Sequence, residues 1–325
     1  MSNLALIESN VIESLESNTQ KSNLFNIDSK PVQSPLNYIG GKYKLLPQIM
    51  PLFPKNINIA IDLFCGGANV GINLNAKKII LNDKMSELMQ IFKLFKESKM
   101  QHIFMQINKL IESFELSKSQ YFGYLYYKCD SSKGLSSFNK NNFLNLRNAY
   151  NKNKDALYLF TLIIFSFNNQ IRFNAKGEFN LPCGKRDFNA NMQEKLKNFM
   201  QILQTKNIEL QNKDFRNFDI SNLDSNDFIY IDPPYFLANA SYNENNAWGE
   251  NDENDLLDFL LNLDSKDIKF ALSNVLFHKN KTHKILESFL KKHTKFKIHN
   301  LNFNYKNCNY QSKNLESKEV LITNY

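Results

Sequence analysis

Several apolar stretches of this chain are short continuous runs that stop on acids. "INIAIDLF" (57–64) runs into a glycine cluster after Asp62. "KKIILND" (77–83) stops at Asp83, and "FIYID" (228–232) stops at Asp232. Continuous runs of this length predict strands buried on both faces, as in a parallel sheet. "IKFALSN" (268–274), "KFKIHNL" (295–301) and "KEVLITNY" (318–325) add further strands. Helical spacing predicts helices at about 85–97, 252–264 and 281–291. Strands alternating with helices predict an α/β fold around an open, mostly parallel sheet. The last two strands flank "NFNYKNCNYQ" and read as an antiparallel hairpin at the sheet edge.

The middle of the chain breaks this alternation. Residues 98–190 are rich in aromatics, Asn and Lys, and include "YFGYLYYKCDSSKG" and "FNNQIRFNAKGEFNLPCGKRDFN". They predict a mainly helical insertion with a polar, loop-rich end. An insertion in a doubly wound sheet sits near the carboxyl edge, where ligands bind. Residues 1–30 are polar and read as an N-terminal extension. The sheet domain is then expected to be built from 31–97 and 191–325.

Composition adds little to this outline. The chain has 325 residues, 42% of them hydrophobic, enough for a sizeable core. It contains no apolar run of the ~20 residues a membrane span needs, and its start lacks the basic and apolar regions of a secretory signal. A soluble, cytoplasmic monomer is the expectation. The four cysteines, Cys65, Cys129, Cys183 and Cys308, form no C-x-x-C pair. Neither a disulfide framework nor a metal site is expected. The net charge of +8 favours a polyanionic partner.

Candidate chemistry lies at the strand ends. In "DLFCGGANVG", Asp62 precedes a turn holding Gly66, Gly67 and Gly71. Such a turn lets a ligand approach the backbone closely. Asp83, at the end of the next strand, is placed to accept hydrogen bonds from ribose hydroxyls. The glycine spacing is not G-x-G-x-x-G. "GGKYK" (40–44) is not a phosphate loop either, since Tyr43 stands where a magnesium-binding hydroxyl should be. S-adenosylmethionine has a ribose and an adenine but no pyrophosphate, and it fits better.

Asp232-Pro233-Pro234-Tyr235 is the sharpest signal. An exocyclic amino group on a base is a poor nucleophile, because its lone pair is delocalised into the ring. A carboxylate and a backbone carbonyl that accept its two N–H bonds localise that pair. Prolines fix φ and remove competing donors, so Asp232 and the Pro233 carbonyl can converge on one spot. Tyr235 offers a ring on which a flipped-out base stacks.

Together these segments resemble the Dam-type (D12 class) DNA adenine N6-methyltransferases. "NYIGGKYKLLPQI" (37–49), "IDLFCGGANVG" (61–71), "LND" (81–83), "FNNQIRFNAKGEFNLPCGKRDFN" (167–189) and "IDPPY" (231–235) match the family's motifs in order, over roughly residues 35–325. The resemblance implies a Rossmann-like S-adenosylmethionine-dependent methyltransferase sheet with a DNA-recognition insertion at 98–190. It implies that Tyr38 and Lys42 contact the cofactor, that Asp62, Phe64 and Gly66 lie under its methionine part, and that Asp83 holds the ribose. Asp214 and Phe215 would flank its adenine, and Asp232 would grip the target amino group beside the methyl donor. Catalysis would rest on Asp232, Pro233, Pro234 and Tyr235. Arg172, Asn174, Asn180 and Pro182 would lie in the DNA-reading loop. The implied activity is methyl transfer to adenine N6 in double-stranded DNA, as the modification partner of a restriction endonuclease or as a solitary regulatory or phage enzyme.

Arginine suits guanine O6 and N7, and asparagine suits adenine N6 and N7. Arg172 is the candidate guanine reader, and Asn168 or Asn174 the adenine reader. Lys176, Lys185 and Arg186 are candidate phosphate contacts, and Phe167 or Tyr121 could fill the gap left by a flipped base. The chain has Asn168-Asn169-Gln170-Ile171 where the family often has Asn-Gly-Leu, and Cys183 and Lys185 replace residues that are commonly aromatic and basic. The target sequence therefore stays open. Methylation of cytosine N4 or of RNA, and a DNA-binding module without activity, are alternatives; the N4 enzymes usually carry Ser in place of the acid. Pro182-Cys183 has the dipeptide of a cytosine-C5 nucleophile, but it sits outside the expected motif order.

Overall fold

The computed structural model describes residues 30–38, 40–237, 248–278, 280–302 and 317–325. The expected N-terminal extension lies almost entirely outside the described residues, as does most of the "NFNYKNCNYQ" turn.

Among the described residues, eight strands form one sheet: β1 (Ile57–Asp62), β2 (Ala76–Asn82), β3 (Ile208–Gln211), β4 (Phe228–Ile231), β5 (Lys269–His278), β6 (Lys281–Thr282), β7 (Lys297–Leu301) and β8 (Ser317–Thr323). The spatial order is β3-β2-β1-β4-β5-β8-β7, with β6 paired to β5. The strands from β3 to β5 are parallel neighbours. β8 runs antiparallel between β5 and β7. The terminal hairpin is therefore present, but only β7 is the edge; β8 is an inner strand. Two short strands escaped the sequence pattern. β3 carries Glu209 and Gln211 in only four residues, too few to display a period. β6 takes the first residues of the helix expected from 281, and the helix itself begins at Lys284, where the His283 side chain accepts the Leu286 N–H as a cap.

The pleat sends successive residues to opposite faces. Ala60, Phe228, Tyr230, Ala271 and Leu321 join one core layer. Ile61, Ile229, Ile231, Leu272 and Ile322 join the other. The first layer is covered by helices α1 (Ser86–Glu97) and α6 (Ala190–Thr205), and the second by α7 (Glu250–Ser265) and α8 (Lys284–Lys292).

Between β2 and β3 the chain also builds α2 (Met100–Ser113), α3 (Ser119–Tyr126), α4 (Ser136–Asn153) and α5 (Ala156–Phe165). The α5 sequence "ALYLFTLIIF" is apolar all round, and α5 is correspondingly central, packing against α1, α2 and α4. Asp155 starts α5 by accepting the Leu157 and Tyr158 N–H groups. After α5 the chain folds back on itself through bridges Ser166–Cys183 and Phe173–Phe179. The loop-rich end of the insertion is thus a hairpin. Among the described residues no helix is long and apolar enough to cross a membrane.

The strand order reverses between β1 and β4. Crevices at such a switch point, beyond the carboxyl ends of the strands, bind ligands. Asp62 pairs in register with Tyr230 of β4, so the glycine turn and the D-P-P-Y turn emerge side by side.

Candidate active site

Asp62 ends β1 almost fully buried. Its Oδ2 accepts the Gly71 N–H at 2.8 Å. Its Oδ1 is buried with no hydrogen-bond partner among the described residues. Burial pushes this carboxyl up to about 8, against the Gly71 hydrogen bond; Asp232 and Asp83 add to the rise. Gly71 is required by close approach, since a Cβ there would lie 2.2 Å from Leu81 Cδ2 and 2.8 Å from Asp62 Oδ2. Gly66 is required twice over. Its φ is +47°, and a Cβ would meet the Tyr38 ring at 2.8 Å. The Tyr38 ring therefore packs closely against the backbone at Gly66, and burial raises its hydroxyl pKa.

Asp83 closes the same turn from β2. Its Oδ2 accepts the Gly66 N–H and its Oδ1 the Met85 N–H, each at 2.9 Å. Each oxygen keeps a second lone pair for a hydroxyl. Burial, the largest influence, raises this carboxyl. Beyond it, Phe64, Phe215 and Trp248 form a cluster with ring centroids 5.4–5.7 Å apart. Trp248 is anchored by its indole N–H to Glu253 at 2.6 Å. Asp214 is engaged by its neighbour: its carboxylate accepts the Arg216 N–H at 3.0 Å and pairs with the guanidinium at 3.1 Å. Arg216 also pairs with Asp252 and Asp255 of α7.

The D-P-P-Y turn supplies the other half of the crevice. Asp232 Oδ2 lies 2.8 Å from Lys42 Nζ, a side chain only 4% exposed. Lys42 also donates to the Gly40 carbonyl at 2.7 Å and lies 4.9 Å from the Tyr235 ring centroid. Glu319 of β8 stands behind both, 3.6 Å from Lys42 Nζ and accepting the Tyr235 hydroxyl at 2.9 Å. Burial raises the Asp232 pKa, the Lys42 ammonium opposes that rise, and Glu319 adds to it. Among the described residues no group of His, Cys, Asp and Glu converges to hold a metal ion.

A model of the D12 class N6 adenine-specific DNA methyltransferases matches residues 38–307. The chain belongs to that family. It is 43% identical over 302 residues to modification methylase StsI of Streptococcus sanguinis, covering 91% of this chain and 43% of that protein. It is 41% identical over 300 residues to type II methyltransferase M.FokI of Planomicrobium okeanokoites, covering 90% and 43%. It is 30% identical over 260 residues to type II methyltransferase M.MjaIII of Methanocaldococcus jannaschii, covering 74% and 83%. The chain therefore spans less than half the length of the first two relatives.

In this member of the D12 class the hairpin after α5 carries the candidate DNA readers. Arg172 is braced by Asn180, through Nε to Oδ1 at 2.8 Å and Nη2 to the backbone carbonyl at 3.2 Å. Asn174 forms the hairpin turn: its Oδ1 accepts the Lys176 and Glu178 N–H groups, and its Nδ2 donates to Glu178 at 2.9 Å. Of the two candidate asparagines, Asn174 is thus committed to shaping the turn. Asn168 sits at φ 55°, and its carbonyl accepts the Asn37 side-chain amide at 2.8 Å. That contact ties the hairpin base to the segment carrying Tyr38. Pro182 accepts the Phe167 N–H at 2.9 Å, and Lys185 donates to Ser132. Arg186 lines a cavity of about 570 Å³ with Ser119, Tyr124 and Asn169. Phe167 and Tyr121 present exposed rings. Cys183 lies in the hairpin bridge, its thiol pushed up to about 11 by burial, an environment unsuited to a nucleophile.

Trp248, Arg216 and Glu319 were not singled out by the sequence patterns. Glu319 left one legible trace: it is a lone acid at the head of the apolar run "VLI" in "KEVLITNY".

Proposed function

We propose that this protein transfers a methyl group from S-adenosyl-L-methionine to N6 of adenine in double-stranded DNA, as the modification enzyme of a restriction–modification system with a cognate endonuclease. The observation that carries the reading is the pair between the buried Lys42 and the partly exposed Asp232 at the switch point, beside the glycine turn. The names of the StsI and M.FokI relatives support the modification role.

The residues around the glycine turn fit the cofactor. The unpartnered, buried Asp62 Oδ1 matches an ammonium group. Asp83 has acceptor capacity for ribose hydroxyls, and Phe64 and Phe215 with Trp248 supply an apolar wall for adenine. Tyr38 and Gly66 would cover the methionine part. When bound, the cofactor supplies an already activated sulfonium methyl.

Positioning and electrostatics are then what the protein contributes. Asp232 and the Pro233 carbonyl accept the two N–H bonds of the target amino group, so its lone pair is directed at the methyl. Lys42 lies over the Tyr235 ring as a cation–π partner, and the same ring is the proposed stacking surface for the flipped base. The insertion 98–190 serves as the target-recognition unit, with Arg172 braced for a guanine edge and Lys176, Lys185 and Arg186 on phosphates. An acid at Asp232 favours adenine over cytosine N4 as the acceptor.

Incubation with labelled S-adenosylmethionine and mixed-sequence duplex DNA, followed by digestion to nucleosides, tests the proposal. Label is expected in N6-methyl-2′-deoxyadenosine. Label in 5-methylcytosine or N4-methylcytosine, or in nothing, refutes it.

A further inference from the structure

We infer that Glu319 is a positioning residue of the methyl-transfer site, a second carboxylate that shares Lys42 with Asp232 and anchors Tyr235 from behind. The inference rests on the proposed methyl transfer. Glu319 belongs to β8, far in sequence from every motif the reaction uses. Its carboxylate is only 3% exposed, a costly place for a charge without partners. One of its oxygens, Oε1, contacts both the Lys42 ammonium and the Tyr235 hydroxyl. Those two side chains also meet each other, with Nζ over the ring. Lys42, Tyr235 and Glu319 therefore form a closed triangle, with Asp232 attached at Lys42 and hydrogen-bonded to Tyr235.

This geometry answers a problem in the mechanism. Lys42 sits 2.8 Å from Oδ2 of Asp232, one of the two oxygens of the carboxylate proposed to accept an N–H from the target base. A cation held only by Asp232 would compete with that N–H and make the carboxylate a poor acceptor. Glu319 provides a second seat for the same ammonium, so the arriving amino group can displace Lys42 from Asp232 without stranding a buried charge. Through the Tyr235 hydroxyl, Glu319 also fixes the ring on which the base stacks.

The charged and titratable groups facing Asp232 are Lys42 on the segment before the first helical turns, Tyr235 on its own turn, Asp62 and Tyr230 on β1 and β4, and Glu319 on β8. Removing the charge of Glu319 leaves Asp232 as the one carboxylate paired with Lys42 among the described residues, beside the Gly40 carbonyl. The acid limb of the kcat–pH profile should then move to lower pH. A purely structural role would lower activity without moving that limb.

Glu319→Gln is the primary test, read by single-turnover and steady-state methylation across pH. The expected result is a fall in kcat of roughly 10- to 100-fold, a change of less than about 3-fold in cofactor KM, and an acid limb shifted downward. Glu319→Asp keeps the charge with a shorter reach; it is expected to lose part of kcat while keeping the wild-type limb. Tyr235→Phe combined with Glu319→Gln should cost less than the sum of the single changes. Fluorescence of Trp248, the single tryptophan, reports cofactor binding and hence a folded site in each variant. Wild-type kcat in Glu319→Gln, an unshifted limb, or the same shift in Glu319→Asp overturns the inference. Absence of adenine methylation by the wild-type protein would instead overturn the underlying methyl-transfer reading.

Discussion

Asp62 and Asp232 show how one residue type acquires two tasks from its surroundings. Asp62 is walled in, with one oxygen on Gly71 and the other without a hydrogen-bond partner among the described residues. Its pKa of about 8 means that the free protein carries it protonated at neutral pH. An ammonium ligand needs the ionised form, so cofactor binding at pH 7 should release a proton. Calorimetry in buffers of different ionisation heats checks this, and cofactor affinity should rise with pH until about 8. Folding stability should respond in the opposite sense. The unfolded carboxyl ionises near ~3.9, so between there and about 8 the unfolded chain has lost a proton that the folded one retains. Stability of the free protein should therefore fall as pH rises through that window, and Asp62→Asn should flatten the slope in thermal melts. Asp232 is instead held by Lys42. Asp232→Ala is expected to abolish methylation while retaining DNA binding in a gel-shift assay.

At the scale of elements, the hairpin and α5 carry opposite kinds of design. The hairpin is built from side chains that grip its own backbone, such as Asn174 on Lys176 and Glu178. That rigidity holds Arg172 against Asn180 in one presentation. Arg172→Ala should weaken discrimination at one guanine position by about 1–3 kcal/mol, seen as relaxed methylation of duplexes substituted at that position. The α5 helix is the apolar axis of the insertion, with Phe160 fully buried against Phe95 at 4.8 Å. Phe160→Ala should cost about 3–5 kcal/mol of stability, measured by chemical denaturation. Both elements were foreshadowed unequally. The apolar run of α5 belongs to a segment expected to be helical, whereas the bridges of the hairpin come from tertiary pairing that a polar sequence does not advertise.

For the whole molecule, the basic surplus of +8 should make DNA binding strongly salt-dependent. With Lys176, Lys185 and Arg186 on phosphates, the log–log slope of affinity against salt should be at least about −3. Each alanine replacement among them should reduce its magnitude by about 1. The sheet positions this surface relative to the chemistry. Asn37 bonds to both Asn168 and Asn169 at the hairpin base, so the hairpin is fastened to the segment that also carries Tyr38 and leads to Lys42.

By itself, the sequence determined the strand ends and the acids on them. Asp62, Asp83 and Asp232 close local apolar runs, and such runs, with their glycine and proline neighbours, are readable without any partner segment. The order of the motifs likewise sufficed to indicate the family. Tertiary structure alone decided what those acids meet. The Lys42–Asp232–Glu319–Tyr235 cluster draws on three distant stretches of chain. The Phe64–Phe215–Trp248 wall does the same. β8 lies inside the sheet between β5 and β7, with Val320, Leu321 and Ile322 fully buried, and that placement is what carries Glu319 to the site. Periodicity reports which face of an element is buried, but not against what, and a buried carboxylate takes its role from the groups that surround it.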